Sequence, residues 1–217
     1  MKRQLFFTAI SLLIATITLN SCSKSNDTKP AEENPPTVAN TIWTGEFNYD
    51  GGKTQPMTIA FGESGTLTWT EFKSKYGGSW EIKNGILTIG ISGAVSFTAN
   101  ISSSNVLTNI KSSDASGRKL VNAAPAGNDD LALEDTKWIA PDVSFKFKAD
   151  NKVDVYFGAS EMPLYSDVKY TRKDRAINFS LIPHYDWFLV VSTNTIIKGL
   201  NMAPSDPTLY TLSVTKQ

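Results

Sequence analysis

Apolar and polar residues alternate with a period of two along most of the chain beyond residue 40. In the segment 66–70, Leu67 and Trp69 alternate with threonines. The same pattern returns in four further segments, at 87–91, 97–101, 145–147 and 153–157. Such alternation places apolar side chains on one face of a strand, and turn signals rich in Gly, Asn and Asp separate the segments. The chain is therefore predicted to be all-β, antiparallel and hairpin-connected.

The strand pattern is repeated within the chain. Three anchors recur in the same order, namely Thr-x-Trp at 41–43 and 136–138, Trp80–Ile89 over Tyr170–Phe179, and Phe97 over Trp187. This order predicts a tandem duplication, with a first unit at 40–121, a linker at 122–134 and a second unit at 135–217. A sheet of about seven or eight short strands hides its edges best by closing into a small barrel. A single pseudo-symmetric domain with one shared sheet is the alternative.

The N-terminus has the features of an export signal. Lys2 and Arg3 precede the apolar run Leu5–Leu19, which is too short for a transmembrane helix of roughly 20 residues and suits a signal peptide. The run ends in Leu-Asn-Ser-Cys at 19–22, which resembles the lipobox of bacterial lipoproteins. The resemblance implies removal of residues 1–21 and lipidation of Cys22, the only cysteine of the chain. An ordinary secretory signal with a cysteine at its end is the alternative.

Residues 22–39 are predicted to form a disordered tether. The segment contains several prolines and charged residues but no aromatic residue, so it cannot bury enough apolar surface to fold. Together with the signal, it resembles the N-termini of Bacteroidota lipoproteins. The expected location is the cell envelope, on the outer membrane, and both the periplasmic and the outward-facing side stay open.

Composition limits the possible partners and chemistry. The 217-residue chain has 21 basic and 21 acidic residues, so it lacks the positive charge of most nucleic-acid-binding proteins. One cysteine and one histidine argue against a disulfide scaffold and against most metal centres. No catalytic residue, metal or cofactor is predicted. His184 and Asp186 could form a base with an orienting carboxylate, but a structural loop is the favoured interpretation because no nucleophile motif accompanies them.

The opening of the first unit carries a family resemblance. Trp43-Thr44-Gly45 resembles the Trp-x-Gly opening of lipocalin-like proteins, and the later elements around Trp80, 84–89 and Phe97 follow in the order found in short lipocalin-like domains. The resemblance implies small calycin-type barrels that can hold a ligand. The second unit departs from the pattern, because Pro141 follows its Trp138 closely and no glycine stands two residues after that tryptophan.

The interior aromatic residues are the candidate ligand-binding residues. An eight-stranded barrel is just wide enough to be filled by side chains or to hold one small ligand. The leading hypothesis is a lipid-anchored, non-enzymatic protein that binds a small apolar ligand, or an envelope protein or glycan. The alternatives are a solid interaction module, such as an adhesion or inhibitor domain, and an envelope hydrolase. The candidate residues are Trp43, Trp69, Trp80, Phe97, Trp138, Tyr170 and Trp187.

Overall fold

A computed structural model describes residues 37–49, 52–91, 95–114, 117–126, 131–183, 185–203 and 205–217. The predicted signal peptide, Cys22, most of the predicted tether and His184 lie outside these ranges. The described part is made of antiparallel strands with one short 3-10 turn, Glu63–Gly65. The prediction of an all-β, antiparallel chain with two tandem barrel-like units is confirmed.

The first sheet, called barrel 1, contains eight strands in an up-and-down order. They are β1 Thr41–Tyr49, β2 Gln55–Phe61, β3 Thr66–Glu71, β4 Ser74–Lys83, β5 Ile86–Ile91, β6 Val95–Ile101, β7 Leu107–Asp114 and β8 Arg118–Pro125. Each strand pairs with its neighbour in sequence up to β7, and β8 pairs with β1. The remaining gap lies between β7 and β8, where the Ser112 hydroxyl donates to the carbonyl oxygen of Arg118 at 2.8 Å. Barrel 1 is therefore nearly closed.

The second sheet, called barrel 2, repeats this order with nine strands. They are β9 Lys137–Ile139, β10 Val143–Lys148, β11 Lys152–Phe157, β12 Tyr165–Lys169, β13 Thr171–Lys173, β14 Ala176–Leu181, β15 Tyr185–Val191, β16 Ile196–Ala203 and β17 Asp206–Lys216. The extra strand arises because the counterpart of β4 is divided at Tyr170. Strand β12 pairs with β11 and β13 pairs with β14, while β17 pairs with both β16 and β9. The gap in strand pairing of barrel 2 thus lies between β12 and β13, whereas the gap of barrel 1 lies between its last two strands, β7 and β8.

Both barrels begin with the same local structure. The indole N–H of Trp43 donates to the hydroxyl of Thr41 at 2.9 Å, and that of Trp138 donates to the hydroxyl of Thr136 at 2.8 Å. Each threonine hydroxyl in turn donates to a carbonyl oxygen three residues earlier. The residue before each threonine, Asn or Asp, has a left-handed φ near 58°, which these short polar side chains tolerate. The Thr-x-Trp repeat therefore encodes a fixed turn at the entrance to each barrel.

The strands also show where the two units meet in sequence. Strand β8 ends at Pro125, so its last four residues lie inside the segment predicted as a linker, because they pair with β1. Leu131 and Leu133 are buried in the core of barrel 2. Pro141 follows the end of the short strand β9 at Ile139, in agreement with the inability of proline to donate within a ladder.

The two barrels pack against each other and share no strand. Phe72, in the turn between β3 and β4, lies against an apolar patch on the outer face of barrel 2 formed by Ala176, Phe188, Val190 and Leu200. Next to it, the ammonium group of Lys73 contacts the Asp186 carboxylate at 2.5 Å. Residues 36–217 form one compact unit that holds all the described strands and all three hydrophobic clusters. A chain that starts at residue 37 therefore keeps every described strand and the core that it buries.

We expect Phe72→Ala to lower the free energy of unfolding by about 1–2 kcal/mol, because the half-buried ring is the main apolar contribution of barrel 1 to the shared patch. Denaturant unfolding of the chain from residue 37 measures this change. Ile86→Ala is the matched control, since Ile86 is an exposed apolar residue of barrel 1 outside that contact, and it should change the free energy by less than about 0.5 kcal/mol. Equal effects of the two variants would contradict the prediction.

The Lys73–Asp186 pair should make the barrel contact sensitive to acid. Hydrogen bonds from Lys73, and then from Ser180, hold the pKa of Asp186 below its ordinary value of 3.8. A lowered pKa in the folded state adds stability that is complete above the ordinary value and is lost as the pH falls through the lowered one. Asp186→Asn should therefore cost up to about 1 kcal/mol at neutral pH, and this cost should disappear as the pH falls through the lowered pKa. The free energy of unfolding, measured from neutral pH into acid for wild type, Asp186→Asn and Lys73→Met, tests this prediction. A stability difference between wild type and the variants that grows as the pH falls would contradict it.

Candidate functional site

The interior of barrel 1 is filled by aromatic side chains. Trp69 of β3 stacks on Phe97 of β6, with ring centroids 5.6 Å apart and planes at 17°, and it meets Phe47 edge to face at 5.6 Å. Trp43 and Phe61 form a further edge-to-face pair nearer the start of β1. All five side chains are buried. These aromatic rings therefore fill the centre of barrel 1.

A buried polar network closes one end of barrel 1, where β1 and β3 end and β8 begins. The Glu71 carboxylate accepts the indole N–H of Trp69 at 2.7 Å and the hydroxyl of Tyr49 at 2.9 Å. The Arg118 guanidinium lies 3.5 Å from the same carboxylate and covers the rings of Tyr49 and Tyr76. Burial raises the pKa of Tyr49, and its hydrogen bond from Arg118 opposes that effect. We call these groups the plug, defined by Tyr49, Glu71 and Arg118.

The corresponding end of barrel 2 is open. A mouth of about 530 Å³ lies where β9, β11 and β14 end and β10, β15 and β17 begin. Phe157, Tyr185, Trp187 and Leu212 supply most of its apolar lining, and polar groups such as Asn201 stand among them. By strand register Phe157 occupies the place that Glu71 holds in barrel 1, since Val155 faces Phe145 as Trp69 faces Ile59. The carboxylate of the plug is thus replaced by an apolar ring.

Trp187 forms the inner limit of this mouth. Its indole stacks on Phe179 with ring centroids 5.9 Å apart and planes at 6°, and it meets Phe145 edge to face at 5.2 Å. By register Trp187 takes the place of Phe97, because Phe179 faces Trp187 as Ile89 faces Phe97. The indole that stacks on a neighbouring aromatic ring in the interior therefore comes from β3 in barrel 1 and from β15, the counterpart of β6, in barrel 2.

The five indole N–H groups differ in their partners. Those of Trp43, Trp69, Trp80 and Trp138 each donate to an oxygen of the chain at 2.7–3.1 Å. The N–H of Trp187, a residue only 2% exposed, meets no hydrogen-bond acceptor among the described residues. A buried polar group without a partner costs about 1–3 kcal/mol, so Trp187 is the interior tryptophan at which an acceptor from a bound molecule would gain most.

A second opening reaches the same tryptophan from the side. This cleft of about 680 Å³ lies where the divided strand separates from β14, between residues 168–171 and 178–180. Phe72 and Lys73 of barrel 1 line its outer part, and Tyr170 and Trp187 line its inner part. Burial raises the pKa of Tyr170. Trp187 therefore borders both the end mouth and the side cleft of barrel 2.

The candidate residues from the sequence are distributed between the two barrels. Trp43, Trp69 and Phe97 lie in the filled core of barrel 1, Trp80 is half-buried against that core, and Trp138 is buried in barrel 2. Tyr170 and Trp187 are the candidates that border an opening. Ligand binding by these residues stays a prediction, and so does lipidation of Cys22, which lies outside the described residues.

Other chemistry finds little support in the described ranges. They contain no group of three or more His, Cys, Asp or Glu side chains that could hold a metal ion. The carboxylate of Asp186 is engaged by Lys73 and by the Ser180 hydroxyl at 2.6 Å, on the outer face of barrel 2.

No helix in the described part is long and apolar enough to cross a membrane.

No protein-family model matches the chain, and no curated protein matches it. The resemblance to lipocalin-like proteins and to Bacteroidota lipoproteins therefore stays a prediction from the sequence. The geometry of the two barrels is the basis for assigning a function.

We expect Glu71→Gln to lower the free energy of unfolding by about 3 kcal/mol, because it leaves the buried Arg118 guanidinium without its carboxylate. Glu81→Gln is the matched control, since Glu81 pairs with Lys83 at 2.7 Å on the exposed surface of the same barrel. Exposed pairs contribute about 0–1 kcal/mol. Chemical denaturation measures both variants, and a small effect of Glu71→Gln would mean that the plug does not stabilise barrel 1.

Proposed function

We propose that this chain is a lipid-anchored, non-enzymatic protein of the cell envelope whose second barrel binds a small, mostly apolar molecule. The observation that carries the proposal is the contrast between the two equivalent barrel ends. One end is plugged by Glu71 and Arg118, and the other is a mouth bordered by Trp187, whose buried indole N–H has no acceptor among the described residues. The predicted lipidation of Cys22 supports the location.

The lining of the mouth supports a specific ligand chemistry. Small-molecule sites are concave, are mostly apolar, usually measure about 300–1,000 Å³ and carry a few polar groups that orient the ligand. The mouth of about 530 Å³ falls within that range. A hydrogen-bond acceptor on the ligand, such as a carbonyl or ether oxygen, would satisfy the N–H of Trp187. The expected ligand is therefore apolar over most of its surface and bears an acceptor at its buried end.

Barrel 1 favours a second candidate function. Its interior is filled and its end is closed, as expected of an adhesion or inhibitor module that works through its outer surface. Native mass spectrometry of the chain from residue 37, purified gently, separates the two candidates. A reproducible extra mass that is lost on denaturation supports ligand binding, and a bare chain mass supports the interaction module.

We expect heptanophenone to bind barrel 2 about fivefold more tightly than heptylbenzene, which differs from it only by a methylene group in place of the carbonyl. One hydrogen bond to the buried indole, about 1 kcal/mol, accounts for this preference. Titration followed by the indole N–H signals in a nitrogen-15 NMR spectrum measures both affinities and should shift the Trp187 signal downfield for the ketone alone.

Trp187→Phe should abolish this preference and keep the fold, because Phe97 occupies the equivalent position of barrel 1. Trp80→Phe is the control, since Trp80 donates to Gly62 in barrel 1, far in the fold from the mouth. A preference that survives in Trp187→Phe, or equal binding of the two probes to wild type, would contradict the role of Trp187.

A further inference from the structure

Three large apolar side chains are exposed on loops of barrel 2. Met162 and Leu164 lie between β11 and β12 and are 78% and 68% exposed, and Ile182 lies between β14 and β15 and is 85% exposed. Single exposed apolar residues are common on proteins. These three are more exposed than any of the large hydrophobic residues in the described part of barrel 1. They form what we call the apolar rim.

The apolar rim lies at the same end of barrel 2 as the mouth. In an up-and-down sheet the connections alternate between the two ends. Because β12 and β13 together take the place of one strand, the loops that follow β11 and β14 share one end. Phe157, just before the first loop, and Tyr185, just after the second, line the mouth. The first loop has a defined shape, because the amide of Met162 donates to Ser160 and the amide of Leu164 donates to the carbonyl oxygen of Val155. The rim is therefore held beside the entrance.

We propose that the apolar rim, Met162, Leu164 and Ile182, docks barrel 2 onto a lipid bilayer with the mouth facing the membrane. Apolar side chains on a protein surface gain free energy by entering the boundary between lipid headgroups and acyl chains, to a depth of about 5–10 Å. The described residues of the two loops, 158–164 and 182–183, contain one charge, that of Glu161, and no Lys or Arg. The attraction is therefore apolar and does not depend on anionic lipids.

The length of chain between the predicted anchor and β1 allows this orientation. Contacts between Lys53 and Leu209 and between Lys73 and Asp186 place the plug of barrel 1 beside the mouth end of barrel 2. Strand β1 begins at the other end, where the Thr44 hydroxyl lies 3.5 Å from the carbonyl oxygen of Ser192. The segment from Cys22 to Thr41 can extend to roughly 60 Å, and a nine-residue strand such as β1 spans about 30 Å. A lipid at Cys22 can therefore reach the membrane under the mouth.

Tethering would add to this docking. An anchored chain is held at a high effective concentration beside the bilayer, so an affinity that is measurable in the free chain gives a larger docked fraction in the anchored one. The docking itself rests on the apolar rim, whereas the anchor and the following consequence rest on the proposed function. If barrel 2 carries an apolar ligand, docking lets that ligand pass between the mouth and the bilayer without crossing water.

Vesicle flotation tests the docking directly. The chain from residue 37, which lacks the predicted anchor and holds all described strands, is mixed with phosphatidylcholine vesicles and with vesicles that also contain phosphatidylglycerol. We expect comparable partitioning into both, unchanged by added salt. The rim variant, Met162→Ser with Leu164→Ser and Ile182→Ser, should lose at least about tenfold of the partition coefficient.

A matched control is available in barrel 1. Ile86, Val106 and Val121 are also exposed apolar residues, and their triple substitution by serine should change the partition coefficient by less than about twofold. Wild-type protein that stays with the aqueous phase, equal losses in the two triple variants, or binding only to the anionic vesicles at low salt would each overturn the proposal. Heptanophenone binding in solution should be the same in wild type and in Met162→Ser with Leu164→Ser, because neither residue lines the mouth or the side cleft. A failure of docking is therefore distinguishable from a failure of ligand binding.

Discussion

The need of a buried indole N–H group for an acceptor determines how each barrel ends. Trp69 in barrel 1 finds its acceptor in Glu71, two residues along the same strand. A buried carboxylate requires a positive partner, and Arg118 of β8 supplies it. The guanidinium then covers the rings of Tyr49 and Tyr76 and fills the end of the barrel. The acceptor that Trp69 needs thus accounts for the buried Glu71 carboxylate, for its partner Arg118 and for the closed end of barrel 1.

Barrel 2 has the same fold, but it lacks the series of contacts that links Trp69, Glu71 and Arg118 in barrel 1. Val155 and Phe157 stand where barrel 1 has Trp69 and Glu71, and the stacked indole comes instead from β15 at Trp187. With no carboxylate at the position of Glu71, this end needs no buried arginine, and it stays open as the mouth. Two barrels of the same strand order therefore differ at one end, which is closed in barrel 1 and concave in barrel 2, because different residues occupy equivalent interior positions.

Much of this fold could be predicted from local pattern, and the difference between the barrels could not. The alternation of Leu67 and Trp69 with threonines marks β3 correctly, and the Thr-x-Trp repeat marks the start of each barrel. The same alternation places Glu71 at an inward position, which is the signal for a buried charge. Its partner Arg118 is distant in sequence, however, and no spacing rule connects the two. The division of the β4 counterpart at Tyr170 likewise depends on tertiary packing.

The filled barrel still contributes to the open one. Phe72 of the β3–β4 turn packs on the outer patch of barrel 2 around Phe188, and Lys73 holds Asp186 beside the side cleft. This turn begins one residue after Glu71, so the plug that fixes the end of β3 also fixes the position of the turn. Barrel 1 therefore supplies one wall of the cleft that reaches Trp187. The end of barrel 1 that the plug closes is also the end that touches barrel 2.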